Sequence, residues 1–119
     1  AKNTLRLRRN FFFGCGVGQV VVKSGGVGAY FAPSREERFL LPAYTEIRPV
    51  DTTGAGDSFC AGFLCGLAQG WSFEQCGRLA NAVGAHCIQA VGASTGIPSL
   101  PAVLDFMERH PKLQRKDVL

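Results

Sequence analysis

The first half of the chain carries short hydrophobic runs separated by turn-forming residues. QVVVK, residues 19–23, and AYFA, residues 29–32, are rich in β-branched and aromatic side chains and are typical of strands. The segment SGGVG, which lies between them, predicts a β-hairpin. RFLLP, residues 38–42, predicts a weaker third strand that ends at its proline, and residues 44–50 lead onward in extended form.

The spacing of the hydrophobic positions becomes helical from Gly56 onward. Residues 57–70, DSFCAGFLCGLAQG, predict a helix of about 13 residues that stops at Gly70. Gly62 and Gly66 are four positions apart and therefore share one face of this helix. Since neither has a side chain, we expect another element to approach the helix closely along that face.

Two further helices are predicted from their starting residues. Ser72 and Gln75 have the spacing of a capping box, which predicts a helix over about residues 73–90. After the loop VGASTGIPS, Ser99 is placed to cap a last helix that ends near Arg109. Three strands followed by three helices form an incomplete α/β pattern. They predict either a small antiparallel sheet or a piece of a larger fold.

The net charge of +4 is concentrated at the two ends of the 119-residue chain, whose length is that of one domain. Four basic side chains and no acid lie in the first nine residues, and four more basic side chains lie after position 108. Basic ends can bind nucleic acid or a membrane surface, but solvated, frayed ends carry the same charges. We favour the solvated ends and expect no nucleic-acid or membrane partner.

The five cysteines are odd in number and include no C-x-x-C pair, so neither a disulfide framework nor a zinc site is predicted. We interpret them as reduced, buried residues of a cytoplasmic protein. The longest apolar run, residues 59–68, is about half the length of a membrane span. The P-loop pattern G-x-x-x-x-G-K-[ST] does not occur.

The stretch DTTGAGDS, residues 51–58, carries the strongest chemical signal because it stands directly before the first predicted helix. The first amides of a helix lack partners, and the helix dipole adds positive charge there. Glycines also let an anion approach the backbone closely. We therefore interpret the backbone of four residues as an anion hole for a phosphoryl group in transfer: Thr53, Gly54, Ala55 and Gly56.

Two carboxylates flank this turn. We interpret Asp57 as a general base that deprotonates a hydroxyl, while the amides hold the developing negative charge. Asp51 is interpreted as binding a cation or fixing the loop. The alternative for the letters GDS alone is a plain helix N-cap, which requires neither both glycines nor Asp51.

The stretch DTTGAGDSFCAGF closely resembles the C-terminal signature of the ribokinase-like, PfkB-type carbohydrate kinases. Enzymes of this family transfer the γ-phosphate of ATP to a sugar or nucleoside hydroxyl. The resemblance extends more weakly over residues 19–109. It implies an α/β chain that is the C-terminal part of a three-layer α/β/α fold. By this resemblance Asp57 matches the catalytic base, and Gly54, Ala55 and Gly56 match the anion hole.

The resemblance also implies nucleotide- and ion-binding positions. KSGGVG resembles the family's nucleotide-side turn, and the asparagine in LANAVGA matches a position beside the adenine. On their own, these features would be a hairpin turn and a polar helix residue. VGASTGIP resembles a loop that binds potassium, largely through backbone carbonyls. The implied ATP contacts are Lys23, Ser24, Gly25, Gly26, Val27, Gly28 and Asn81. The implied cation ligands are Asp51, Thr53, Cys87, Ala90, Gly92 and Gly96.

The chain departs from the family pattern because family members begin with a nucleotide-fold sheet and a sugar-binding lid that have no counterpart here. We assign residues 17–110 to the ATP side of the kinase domain and residues 111–119 to a basic tail. Residues 1–16 stay unassigned, as non-native or disordered sequence.

The implied function is ATP-dependent phosphorylation of a sugar or similar small alcohol, with Mg²⁺ and with K⁺ as a further ion. We expect the isolated chain to be inactive. The alternative is a non-catalytic module that binds nucleotide or phosphate or associates with itself as a homo-oligomer. Titration with ATP would separate binding from inertness, and an assay over a panel of sugars would separate both from catalysis.

Overall fold

A computed structural model describes residues 2–23, 27–44, 49–52, 54–89, 99–110 and 114–117. The three predicted strands and three predicted helices are present, and one helix and one strand are additional. None of the helices within the described residues is long and apolar enough to cross a bilayer. The elements are α1 (Lys2–Gly14), β1 (Val20–Lys23), β2 (Gly28–Ala32), β3 (Phe39–Pro42), α2 (Ala55–Ala68), α3 (Phe73–Cys87), α4 (Leu100–Arg109) and β4 (Lys116–Asp117).

The strands of the described residues form one antiparallel sheet in the order β1-β2-β3-β4. β1 and β2 form the predicted hairpin, in which Val22 pairs with Tyr30. Gly28 begins β2 with a φ of +118°, and a Cβ atom at this position would overlap the carbonyl oxygen of Leu41 on β3. The backbone conformation and the close neighbouring strand therefore both require glycine here.

Hydrophobic side chains cover both faces of the sheet. On one face, Phe31 and Phe39 pack in a buried cluster with Phe59 of α2. On the other face, Tyr30 packs in a second cluster with Phe13 of α1. Helices therefore lie on both sides of the sheet, which is the three-layer arrangement that the resemblance implies.

The glycine face of α2 lies against α3. A Cβ atom at Gly62 would lie 3.0 Å from Cγ2 of Val83, and one at Gly66 would lie 2.8 Å from Sγ of Cys76. These separations leave no room for larger side chains, so the predicted close approach is confirmed. The contact fixes the position of α2 over the sheet.

Side chains cap the last two helices as predicted. The backbone N–H of Gln75 donates to Oγ of Ser72 at 3.2 Å, and the N–H of Ser72 donates to Oε1 of Gln75 at 3.1 Å. Ser99 Oγ accepts from the N–H of Ala102 at 3.4 Å and begins α4. α3 ends at Cys87, three residues before its predicted end.

Both ends of the chain contain regular structure where the sequence was interpreted as frayed. α1 occupies Lys2–Gly14, where the sequence predicted no element, and its Phe13 is buried against the sheet. Near the other end, β4 pairs with β3, and Arg115 forms ion pairs with Glu37 and Glu74. The partners at both ends are distant in sequence, so the local composition could not reveal them.

The five cysteines are free thiols, but the prediction that they are buried is wrong for two of them. Cys76 and Cys87 are buried and Cys65 is partly buried, whereas Cys15 and Cys60 are exposed. The burial of a small apolar side chain depends on which way its helix or loop faces, and composition does not give that direction.

Candidate active site

The DTTGAGDS stretch forms a tight turn that leads directly into α2. Gly54 is the N-cap residue, with a φ of +77° in the left-handed region that favours glycine. The N–H of Ala55 donates to the carbonyl of Thr52 at 3.2 Å, and the N–H of Ser58 donates to the carbonyl of Gly54 at 2.9 Å. The left-handed backbone of the turn therefore favours glycine at position 54, and no side chain caps this helix.

The three amides that the resemblance assigns to the anion hole are not equivalent. Among the described residues, the N–H groups of Gly54 and Gly56 have no hydrogen-bond acceptor. The N–H of Ala55, by contrast, donates to the carbonyl oxygen of Thr52. The helix dipole adds a partial positive charge at this end of α2. The turn can therefore receive an anion on two amides, and Ala55 would have to exchange its acceptor to take part.

Asp57 lies in the first turn of α2 and is exposed. It follows Gly56 directly, so a carboxylate and an anion-attracting backbone share one turn. A carboxylate in this position can accept a proton from a hydroxyl whose oxygen approaches the anion site. The turn therefore combines a candidate base with candidate phosphate-binding amides.

Lys23 brings a positive charge to the same turn from the end of β1. Its Nζ donates to the carbonyl oxygen of Gly56 at 3.2 Å and to Sγ of Cys60 at 3.6 Å. The two contacts span 33 and 37 positions of sequence, so only the packing of β1 beside α2 makes them. The resemblance places Lys23 among the ATP contacts, and the structure brings it to the turn before Asp57.

A cavity of about 410 Å³ opens beside this turn, which is within the usual range for small-molecule sites. Five of the residues singled out in the sequence line it, whereas Val27, Gly54 and Asp57 lie outside its lining. The five are Lys23, Gly28, Ala55, Gly56 and Asn81.

The rest of the wall is mostly apolar and was not singled out in the sequence. Ala43, Tyr44 and Pro49 come from the connection after β3, and the others come from α2 and the C-terminal end of α3, whose inward faces the pattern did not specify. The available signal in that connection was its aromatic residue and its proline. The apolar wall residues are Ala43, Tyr44, Pro49, Phe59, Ala85 and Ile88, and Thr52 and Gly84 complete the lining.

Two polar side chains of the cavity are held by the surrounding fold. Asn81 Nδ2 on α3 donates to the carbonyl of Pro42 at the end of β3, at 3.2 Å. Burial raises the pKa of Tyr44, against a lowering by the nearby charge of Arg78, so its phenol stays neutral near pH 7. The ring of Tyr44 packs edge-on against Phe106 of α4, with centroids 5.1 Å apart.

The residues before the turn are tied to the end of α3. The N–H groups of Val50 and Asp51 both donate to the carbonyl of Ile88, at 2.6 and 3.0 Å. This places the backbone of Asp51 beside the last turn of α3, next to the buried Cys87. Two of the implied cation ligands are therefore neighbours in space.

Part of the predicted site lies outside the described residues. Within the residues that the structure describes, no group of three or more His, Cys, Asp or Glu side chains is placed to hold a metal ion. The predicted residues outside the description are Ser24, Gly25, Gly26, Thr53, Ala90, Gly92 and Gly96.

Comparison with known proteins places the chain in a family. Residues 12–100 match the pfkB family carbohydrate kinase model. A sugar kinase of Archaeoglobus fulgidus is 46% identical over 83 residues, which cover 70% of this chain and 32% of that protein.

Solved structures share the fold. Arabidopsis thaliana ribokinase complexed with ribose and ATP is 36% identical with a TM-score of 0.73, over 77% of this chain and 30% of that one. A ribokinase II from E. coli in complex with ATP and Mg²⁺ is 33% identical with a TM-score of 0.74. This match covers 79% of this chain and 30% of the E. coli chain. The chain thus spans about a third of the length of these relatives. It has the ribokinase fold in this part, and it belongs to the pfkB family of carbohydrate kinases.

Proposed function

We propose that this chain supplies the ATP side and the catalytic base of a kinase that phosphorylates a hydroxyl of a sugar or similar small alcohol. One observation carries the proposal. The turn at Gly54, with an exposed Asp57 in the first turn of the helix that follows, lies beside a cavity of about 410 Å³. The relative of known structure that was complexed with ribose and ATP supports the same pairing of substrates.

The proposed chemistry is a direct transfer of the γ-phosphoryl group. Asp57 accepts the proton of the acceptor hydroxyl while that oxygen bonds to the γ-phosphorus, and the bond to the β-phosphate oxygen breaks to release ADP. The N–H groups of Gly54 and Gly56 stabilise the negative charge on the transferred group. Ala55 joins them by releasing the carbonyl of Thr52.

The cavity is the proposed ATP site. Its apolar wall suits a nucleobase, and Asn81 offers an amide at that wall. Lys23 and Gly28 are proposed ATP contacts at the hairpin end, together with Val27 and residues 24–26.

Metal ions are proposed in two roles. Mg²⁺ neutralises phosphate charge when bound, and it is held chiefly by the phosphates of ATP, in keeping with its preference for phosphate oxygens and water. The E. coli relative in complex with ATP and Mg²⁺ supports this role. For K⁺, Asp51 and Cys87 are the described members of the proposed carbonyl site, and their proximity fits it.

The experiment that tests the proposal replaces Asp57 by Asn in the full-length enzyme and measures sugar-dependent ADP formation. We expect kcat to fall by about 10²- to 10⁴-fold with ATP affinity little changed, because only proton transfer is lost. Asp105→Asn is the matched control, since Asp105 is an exposed acid on α4 that pairs with Arg109. Near-normal turnover of the Asp57→Asn enzyme would contradict the proposal.

A second candidate is a module that binds nucleotide without transfer and associates with itself. Large apolar side chains exposed on α1 and α2, among them Phe11 and Leu64, favour association. Calorimetric titration of the isolated 119 residues with ATP and Mg²⁺, with and without K⁺, together with sedimentation, tests this candidate. We expect binding without efficient turnover from the isolated chain, and rapid turnover would contradict that expectation.

A further inference from the structure

Strand β1 lies at one edge of the described sheet but has the composition of an interior strand. Among the described residues, β1 pairs with β2, and no strand lies along its other side. Val20 and Val22 are buried on the side of α1, and Val21 packs against the cluster on the side of α2. Strands that are covered on both faces carry continuous apolar runs of this kind. The backbone N–H and C=O groups along the open side of β1 are therefore a template for pairing with another strand.

The apolar side of α1 extends this edge on one face of the sheet. A groove of about 610 Å³ lies between α1 and β1, and it is lined by Leu7 and Phe11 of the helix and by Val21 and Val22 of the strand. Leu7 and Phe11 are about one helical turn apart, and 68% and 66% of their surfaces are exposed. Contiguous apolar patches of this kind mark interaction surfaces.

Helix α2 extends the same edge on the other face of the sheet. Cys60 and Leu64 lie on the side of α2 opposite to the glycine face that contacts α3. Nζ of Lys23, at the end of β1, lies 3.6 Å from Sγ of Cys60, which places this side of α2 next to β1. Cys60 is exposed, and 62% of the surface of Leu64 is exposed. These groups form one apolar surface across the three layers, the β1 surface: Leu7, Phe11, the open side of β1, Cys60 and Leu64.

The opposite edge of the described sheet has a different character. Strand β4 consists of Lys116 and Asp117, which are both exposed and charged. Short, charged edge strands resist pairing with another chain. Within the described part of the chain, one sheet edge is therefore suited to pairing, which favours a closed pair of chains over an open-ended array.

We propose that two copies of this chain form a homodimer through the β1 surface, in which the two β1 strands pair antiparallel about a two-fold axis. Even the smallest side of the molecule, 29 × 24 Å, is comparable in area with the roughly 800 Å² per partner that a standard stable interface buries. The inference goes beyond the proposed function, since it concerns association of the 119-residue chain and involves no transfer step.

The alternation of side chains along β1 defines the register of this pairing. Residues that lie directly opposite each other in an antiparallel pair point to the same face of the sheet. Valine is matched with valine on both faces when Val21 lies opposite the partner's Val21 and Val20 lies opposite the partner's Val22. Lys23 then lies opposite the partner's Gln19, so the two ammonium groups are at opposite ends of the strand pair. A second copy therefore covers the apolar groups without bringing these like charges together.

The test is sedimentation equilibrium of the 119-residue chain over a range of concentrations, for wild type, Leu7→Glu and Leu64→Glu. We expect wild type to form dimers and each substitution to raise the dimer Kd by about 10- to 100-fold, because it places two like charges in one apolar interface. Leu104→Glu is the matched control, since Leu104 is an exposed leucine on α4, and its dimer Kd should equal that of wild type. Circular dichroism checks that each variant is folded.

A cross-link tests the register. Val21→Cys should form an intermolecular disulfide with oxidised glutathione, because residues directly opposite each other bring their Cβ atoms within disulfide range. Mass spectrometry of the linked peptides distinguishes this bond from links through the native thiols. A dimer that gives no link between the two substituted positions would contradict the proposed pairing.

Other results would also overturn the inference. These are a monomer at every concentration, growth into open-ended oligomers, and equal weakening by Leu64→Glu and Leu104→Glu. A chain that stays monomeric but binds the part of the Archaeoglobus fulgidus sugar kinase outside its matched residues would show that the rest of a kinase fold covers the β1 surface, and would overturn the homodimer. The proposed function is tested separately by Asp57→Asn and does not depend on these results.

Discussion

The guanidinium group of Arg115 lies 2.9 Å from the carboxylate of Glu74, which joins the C-terminal strand to the first turn of α3. The same group pairs with Glu37 at 3.1 Å and with Asp117 at 2.8 Å, and it lies 4.0 Å from the ring centroid of Phe39. The hydrogen bond to Glu74 is the main cause that raises the pKa of Arg115 above its ordinary range. Arg115 therefore stays charged at every working pH and fastens the end of the chain.

Arg115→Ala should lower the free energy of unfolding by about 1–2 kcal/mol, because it removes a half-exposed ion-pair network and a cation–π contact together. Chemical denaturation measures the change. Arg109→Ala is the matched control, since its pair with Asp105 is more exposed and should be worth about 0–0.5 kcal/mol. Equal effects of the two substitutions would contradict the role of Arg115.

The carboxylate of Glu74 makes stability depend on acid pH. The hydrogen bond from Arg115 is the main cause that lowers the pKa of Glu74 below its ordinary value of 4.5, with further lowering from Arg78 and an opposing effect of burial. A carboxyl with a lowered pKa in the folded state adds stability above its ordinary pKa, and this is lost as the pH falls through the folded value. The free energy of unfolding should therefore decline below pH 4.5.

Glu74→Gln tests the assignment by urea denaturation at a series of pH values. The variant should be less stable than wild type at pH 7 and should lose less stability between pH 5 and pH 3, because position 74 no longer titrates. Parallel pH profiles of the two proteins would show that other carboxyl groups cause the decline.

Gly56→Ala should separate stability from activity. Alanine favours the helix by about 0.5–1 kcal/mol over glycine, so the fold should be retained or slightly stabilised. The added methyl group would lie 3.1 Å from Nζ of Lys23, so the amine must move, and the methyl group also narrows the proposed anion site. We expect a raised KM for ATP in the full-length enzyme with a melting temperature equal to or slightly above that of wild type, and unimpaired kinetics would contradict the close approach of ligand to this backbone.

Two glycines of α3 should respond oppositely to substitution by alanine. A Cβ atom at Gly77 would lie 2.6 Å from Cζ of Phe31 and 2.9 Å from Cδ1 of Leu41, whereas at Gly84 the nearest atom, the carbonyl oxygen of Ala55, is 3.8 Å away. Gly77→Ala should destabilise the fold by about 1–3 kcal/mol through overpacking. Gly84→Ala should stabilise it by about 0.5–1 kcal/mol, because alanine loses less backbone entropy in a helix. Thermal and urea unfolding compare the pair, and similar effects of the two would contradict this packing.

Local signals predicted the helices well because each acts over a few residues. Two helices begin where the sequence predicted. The capping box of Ser72 and Gln75 begins α3, and Ser99 caps the start of α4. The hairpin was predicted from a β-branched run, an aromatic run and the turn between them. α1 was missed because residues 2–14 show no clear hydrophobic period, and burial of Phe13 against the sheet is a tertiary contact. β4 was missed because a strand of two residues leaves no pattern.

The candidate site also has features that the sequence predicted and features that only the structure revealed. The sequence identified the turn at residues 51–58 and its helix, and the role of Asp57 as a base stays a prediction. It did not indicate that Ala55 donates to Thr52, that Tyr44 forms part of the cavity wall, or that the amine of Lys23 reaches Gly56.

By itself, the sequence determined the succession of elements from β1 to α4, the glycine-bearing turn and the family, because all of these are encoded by neighbouring residues. Only the tertiary structure decided which amides of the turn lack protein partners, which charge comes to them and where the cavity opens. Those properties arise when β1, α2 and α3 pack against one another. The packing brings together residues that are far apart in the chain, such as Lys23 and Gly56, which are separated by 33 positions. No short stretch of sequence contains both members of such a pair.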